Sequence, residues 1–231
     1  PAGLVCAIVL AKANRRVVVR EWHEDVGHRF HDDFQGLENW SDAQNVLDEL
    51  ADAGVVADFD HRGATEGFVF DSHAKAHRVH GSKPLYYLLR RGNAPGTLYR
   101  VLLDQARAAG AEVRFNDRVK KTTTNMVLAG GPRRADIIAV GYVLDTSMAD
   151  GAWLAFGTEL APKGYAYLLV HRGRGTVASC MFSGFRDQAK YLAATVEYFK
   201  RHAGLEMKTP RGFGGFGKVR LPRTRCRMET R

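Results

Sequence analysis

The chain has 231 residues, 45% of them hydrophobic, 26% charged and 10% aromatic, which excludes a disordered or low-complexity segment and allows one large or two small domains. Three cysteines (Cys6, Cys180, Cys226) with no CxxC exclude a disulfide framework and point to a reducing, cytoplasmic setting. The formal charge of +9 is concentrated at the end: Lys218 to Arg231 holds six basic residues and one acid, without aromatic interleaving, so no nucleic-acid partner is inferred from it.

In chain order, Pro1 to Ala13 is small and apolar and reads as a helix packed tightly on a sheet. Its apolar run, Gly3 to Ala11, is too short to span a bilayer and lacks the flanks of a signal peptide; contact with a membrane surface has no support. Asn14 suits the left-handed end of that helix, and Arg16 to Arg20 is a β-branched strand closed by Glu21. Asp42 to Ala53 has helical spacing between Ser41 as N-cap and Gly54. Gly67 to Phe70 and Ala76 to His80 form a hairpin pattern, and Leu85 to Leu89 is an apolar run. Thr97 to Ala109 is a second clear helix, closed by Gly110 and followed by the strand Ala111 to Phe115. Beyond Gly131 the texture is β-rich: Ile137 to Leu144, Gly164 to Val170 and Thr176 to Phe182, then a helix over Asp187 to His202. That order predicts a mainly antiparallel sheet with one covering helix.

The strongest local signal is Pro1-Ala2-Gly3, helix, strand, Glu21. In a dinucleotide-binding βαβ unit, a GxGxxG turn opens the helix and an acid closes the second strand. Gly3 would be the third glycine, and the helix N-terminus would face a pyrophosphate. Glu21 would accept hydrogen bonds from ribose hydroxyls; it lies 18 positions after Gly3, near the usual spacing of about twenty. The first two glycines and their strand are not in the sequence, and an ordinary αβ pair with a solvated Glu21 fits the same residues.

These residues resemble the opening of FAD-dependent oxidoreductases of the geranylgeranyl reductase type, which share a fold with the aromatic-hydroxylase flavoproteins. The helix carrying Leu98, Leu102, Leu103, Ala106 and Gly110, with AEVRF and Val119 after it, agrees in order. The resemblance implies that Arg91 contacts the flavin, that Val119 meets the adenine through its backbone, and that Pro1, Ala2, Gly3 and Glu21 hold the rest of the dinucleotide. Ala161 to Leu169 is similar to the PxGYxWxFP segment that borders the substrate cavity in that family, which assigns Tyr165 and Tyr167 to the cavity. A GDA-type motif that would complete the flavin site is absent, so the sequence reads as an internal part of a flavoprotein, truncated at both ends.

The implied fold is α/β: a Rossmann-like FAD-binding βαβ half (residues 1–60 and 96–135) and a predominantly antiparallel β-sheet substrate half with a covering helix (61–95 and 136–222), then a basic tail (223–231). The implied activity is hydride transfer from NAD(P)H through FAD to an unsaturated small-molecule or lipid-like substrate, an isoprenoid among the candidates. The alternatives are a flavin monooxygenase acting on an aromatic ring and a non-catalytic flavoprotein fragment. No general acid or base is assigned.

Other patterns carry less. Gly212 to Val219 nearly matches a P-loop but lacks the hydroxyl for Mg²⁺, and reads as a glycine-rich turn. Asp150, in Ala149-Asp150-Gly151, reads as a turn residue. His73, His77 and His80 fall on a hairpin that splits them between faces, and His23, His28 and His31 with Asp32 and Asp33 match no metal-ligand spacing. The loop Trp22 to Trp40, rich in aromatics, either crosses near the flavin or is an ordinary surface loop.

Overall fold

The computed structural model describes residues 1–218 apart from 122 and 133. Cys226, Val219 and the tail 223–231 therefore lie outside the described residues. Helix α1 (Ala2–Lys12) leads to strand β1 (Val18–Arg20), and a loop then reaches β2 (Phe34–Glu38) and α2 (Val46–Asp52). There follow β3 (His61–Ala64), β4 (Glu66–Phe70), β5 (Ala76–His80), β6 (Tyr86–Arg90), α3 (Leu98–Ala108) and β7 (Glu112–Arg114). The last third holds β8 (Ile137–Asp145), β9 (Gly151–Ala155), β10 (Tyr165–His171), β11 (Arg174–Met181), α4 (Gln188–Ala203) and β12 (Lys208–Gly217).

Three sheets result. β1 and β7 pair in parallel. Helices α1 and α3 pack over this pair through Leu4, Ala7, Ile8, Leu102, Leu103 and Ala106, all buried. Thr97 caps α3: its hydroxyl accepts from the Arg100 amide at 3.4 Å and donates to the Gly92 carbonyl at 2.9 Å, and the residue is fully buried. Asn14 ends α1 in the left-handed region at φ 56°, as its residue type predicts.

The large sheet has seven strands in the order β12-β8-β11-β10-β9-β4-β5, all antiparallel neighbours except β4 and β9, which run parallel. Alternation along β10 separates its faces. Ala166, Leu168 and Val170 point to α4 and pack around fully buried Phe199, while Tyr165, Tyr167 and Leu169 point the other way and line a cavity. The third sheet, β2-β6-β3, is antiparallel.

Three sequence expectations need correction. Helix α2 is capped by Asn45, whose side chain accepts from the Leu47 amide at 2.9 Å, rather than by Ser41, so it starts later. The Trp22 to Trp40 loop contains a strand, β2. The glycine-rich segment is not a turn: residues 212–217 form the end of β12, paired with β8. The pairing explains why glycine serves there. Each β12 glycine faces a side-chain-bearing partner (Gly212 and Tyr142, Gly214 and Val140), while Phe213 faces Gly141, where the Val177 carbonyl, Ala178 and the Phe213 ring together leave no room for a Cβ.

Because Phe199 is a fully buried α4 side chain in the cluster with Leu168, Val170 and Val177 of the sheet, Phe199→Ala will cost about 3–5 kcal/mol. Chemical denaturation followed by circular dichroism measures it; a loss below about 1 kcal/mol, the range of a surface change, would contradict this packing.

Candidate functional site

The residues singled out from the sequence fall in two places. Pro1, Ala2, Gly3 and Glu21 lie where the N-terminal end of α1 meets the C-terminal end of β1, and Val119 lies in the segment that follows β7. Pro1 and Glu21 are close enough to interact electrostatically. No side chain caps α1 and its first turn carries no acid, so its leading amides are open to an anion. The neighbour that comes closest to Gly3 is Ala129, whose side chain would sit 3.1 Å from a Cβ placed there. Glu21 continues the β1–β7 pairing: its amide donates to the Arg114 carbonyl at 2.8 Å and its carbonyl accepts from Asp117 at 2.8 Å. Its carboxylate accepts from the His23 amide at 3.0 Å. Arg20 grips Asp117 with two hydrogen bonds, which sets the course of the chain toward Val119, half-buried two residues on. Beside it runs a ladder of flat groups that the sequence did not announce: Arg118 over Trp22 at 4.3 Å, Trp22 on His23 at 5.3 Å, and His23 on His28 at 4.0 Å.

Arg91, Tyr165 and Tyr167 lie in the second place, a cavity of about 670 Å³. That size suits a small organic ligand. Its wall is the face of the large sheet turned away from α4; its roof is the segment 29–36 with β6. Strand β2 is seated on the sheet by a buried hydrogen bond from the Phe34 amide to the Thr176 hydroxyl, 2.8 Å. Arg91 is the fixed polar point of the cavity. Its Nε donates to Asp33 at 2.8 Å, Nη2 donates to the same carboxylate oxygen, Nη1 donates to Gln35 at 2.5 Å, and its guanidinium lies 4.2 Å from the Phe30 ring. Asp33 is fully buried and also accepts from the His31 amide at 3.1 Å.

The tyrosines are held neutral. Burial, then the neighbouring Cys180, pushes Tyr165 up to about 12. Burial raises Tyr167 further, and it also raises the Cys180 thiol. At neutral pH the wall therefore presents two phenols and a thiol, all protonated.

Sequence reasoning missed Asp33, Trp153 and Cys180 as cavity residues; Arg29 lay in the loop read either as crossing near the flavin or as a surface loop, and the β12 glycines were read as a turn near the flavin or substrate. The one available signal was the aromatic-rich loop that contains Arg29 and Asp33; the others are legible only once strand pairing is known. Among the described residues no group of three His, Cys, Asp or Glu side chains is placed to hold a metal ion. His77 instead contacts Asp71 at 2.9 Å, within the β4–β5 hairpin. Asp150 accepts from Arg62 at 2.9 Å, from the Arg172 amide at 2.7 Å, and contacts His171 at 2.7 Å, tying β3 to the large sheet. Among the described residues no helix is long and apolar enough to cross a membrane.

Two outcomes follow. Asp33→Ala leaves the Arg91 charge without its partner and will cost about 3–5 kcal/mol. Adding Arg91→Met will recover part of that loss, so the double variant is more stable than additivity allows; strict additivity would show that the two side chains are uncoupled. Second, Tyr165 titrates higher folded than unfolded. Its contribution to stability is complete below its unfolded value of about 10 and is lost as pH climbs through about 12. Tyr165→Phe will flatten the fall in stability across that window, as read from denaturation midpoints at stepped alkaline pH; an unchanged slope would contradict the buried phenol.

No family model matches the sequence, and no curated protein matches it closely. Solved structures do match. A geranylgeranyl bacteriochlorophyll reductase-like protein from Thermoplasma acidophilum is 13% identical with a TM-score of 0.61, over 92% of this chain and 63% of that one. PqsL from Pseudomonas aeruginosa, named a probable FAD-dependent monooxygenase and also solved with 2-aminobenzoylacetate, is 14% identical with a TM-score of 0.62 in that complex, over 95% of this chain and 72% of that one. p-Nitrophenol 4-monooxygenase from Pseudomonas putida is 16% identical with a TM-score of 0.57, over 93% and 65%. The chain spans 53% of a peptidyl tryptophan dihydroxylase that it also resembles, so it corresponds to 53–72% of the length of these proteins. Its fold is the one shared by these flavoprotein reductases and monooxygenases.

Proposed function

We propose that the chain is the greater part of a FAD-dependent oxidoreductase and that the cavity between β2 and the large sheet takes its substrate. The observation that carries this reading is the convergence of Arg91, Tyr165 and Tyr167 on one cavity, in a fold whose solved examples are reductases and monooxygenases. Residues 1–60 and 96–135 form the FAD-binding part and 61–95 with 136–222 the substrate part; β2 pairs with β6, so the two parts share a sheet.

The residues present fit a dinucleotide. The uncapped amides of α1, beginning at Ala2 and Gly3 after the N-cap Pro1, which has no amide N–H to donate, receive the pyrophosphate. Glu21 accepts from ribose hydroxyls, and the backbone at Val119 meets the adenine. Arg91, locked by Asp33, Gln35 and Phe30, presents a fixed guanidinium edge to the flavin. Tyr165 and Tyr167 border the substrate, and the apolar walls exclude water from it. The flavin, when bound, supplies hydride transfer from NAD(P)H to an unsaturated, small or lipid-like substrate. A monooxygenase acting on an aromatic ring has equal support, since most of the structures compared carry such names.

The test is the visible spectrum of the chain after incubation with FAD and desalting. Retained flavin absorbance, lost in Glu21→Ala and reduced at least tenfold in affinity by Gly3→Val, is the expected result; NAD(P)H oxidation with and without oxygen then separates reductase from monooxygenase. A colourless protein would mean that the chain alone is non-catalytic.

A further inference from the structure

The cavity wall is mostly apolar: Phe34, Trp40, Phe68, Trp153, Leu169 and Phe213 contribute to it. Four charged side chains also border it, namely Arg29, Asp33, Glu66 and Arg91. Three of them are cancelled within the protein. Asp33 and Arg91 neutralise each other, and Glu66 pairs with Arg78 at 2.5 Å. Arg29 is different. It donates to the Phe216 carbonyl at 3.1 Å and lies 4.5 Å from the Phe216 ring, but it pairs with no carboxylate among the described residues. Phe216 belongs to the last turn-free stretch of β12, so Arg29 fastens the 22–33 loop across the cavity to the edge strand of the sheet. Arg29 is half-buried as a residue, and its guanidinium, held by a neutral carbonyl and a ring, keeps unused donors at the border of an apolar space.

We infer that the ligand of this cavity is an apolar molecule bearing one anionic group, and that Arg29 is the residue that selects for the anion. The inference rests on the cavity being the substrate site and adds the charge of the substrate to it. A neutral hydrocarbon or a neutral arene would fill the walls but leave Arg29 unmatched. A carboxylate or phosphate at one end meets both requirements, because the planar fork of arginine donates to two such oxygens at once. A cationic ligand is disfavoured, since the acids that could receive it are already paired.

The test uses two naphthalene probes of nearly the same shape on the full chain: anilinonaphthalene sulfonate, an anion, and N-phenylnaphthylamine, which is neutral. Both brighten when they enter an apolar cavity. The unmodified chain should bind both, and Leu169→Trp, which fills the cavity, should abolish both. Arg29→Gln should weaken the sulfonate by roughly tenfold or more while leaving the neutral probe within twofold, and Arg29→Lys should restore part of the difference. Lys200→Gln, on the exposed side of α4, should change neither. Equal loss of both probes in Arg29→Gln would overturn the inference, because Arg29 would then only shape the cavity. An unchanged sulfonate affinity would overturn it as well. Failure of both probes to bind the unmodified chain would overturn the substrate-cavity reading itself, a result distinct from loss of selectivity.

Discussion

Asp33 is a carboxylate with no exposure to solvent, and everything around the cavity is arranged to make that tolerable. A buried charge must be paired and hydrogen-bonded or it will not stay charged. Arg91 supplies the pair from the end of β6, and the backbone repeats the connection: the Arg91 amide donates to the Asp33 carbonyl at 3.0 Å. The loop after the β1 unit is thereby tied to the strand that precedes α3. Phe34, the next residue, is then positioned to reach Thr176 on the large sheet. One ion pair thus fixes the loop that roofs the cavity, the strand that seats it, and the guanidinium that the cavity presents.

The large sheet contributes the complementary constraint. β10 and β11 alternate between a face that α4 buries and a face that the cavity uses, so packing and function occupy opposite sides of the same strands. The two faces differ in composition accordingly. Small and branched residues (Ala166, Val170, Val177) meet α4, whereas phenols, a thiol and a tryptophan line the cavity. A substitution on the α4 side changes stability first; one on the cavity side changes what the chain can bind.

The elements with strong periodicity were legible in the sequence. α3, with its Thr97 cap and Gly110 stop, and β10, with its alternating pattern, fall within a residue or two of where the spacing puts them. The strands that escaped notice lack an intrinsic preference. Phe34–Glu38 and His61–Ala64 contain glycine and polar residues, and they become strands because β6 offers an edge on each side. The glycines of β12 oppose strand formation locally and are admitted by their partners on β8. The site divided the same way. Tyr165 and Tyr167 could be named from their segment, but Arg29, Asp33 and Cys180 reach the cavity only through pairings between residues far apart in sequence. The place where α1 meets β1 was read from a short pattern, and the ring ladder on Trp22 beside it has no sequence signature.

Hydrogen–deuterium exchange with and without FAD measures the central claim most directly, because it reports on the α1 end and the cavity roof in one experiment. The account predicts slowed exchange at the amides that begin α1, at Glu21 to His23, and around Arg91, with α4 and the β4–β5 hairpin unchanged. Protection confined to other segments, or none at all at saturating FAD, would contradict it.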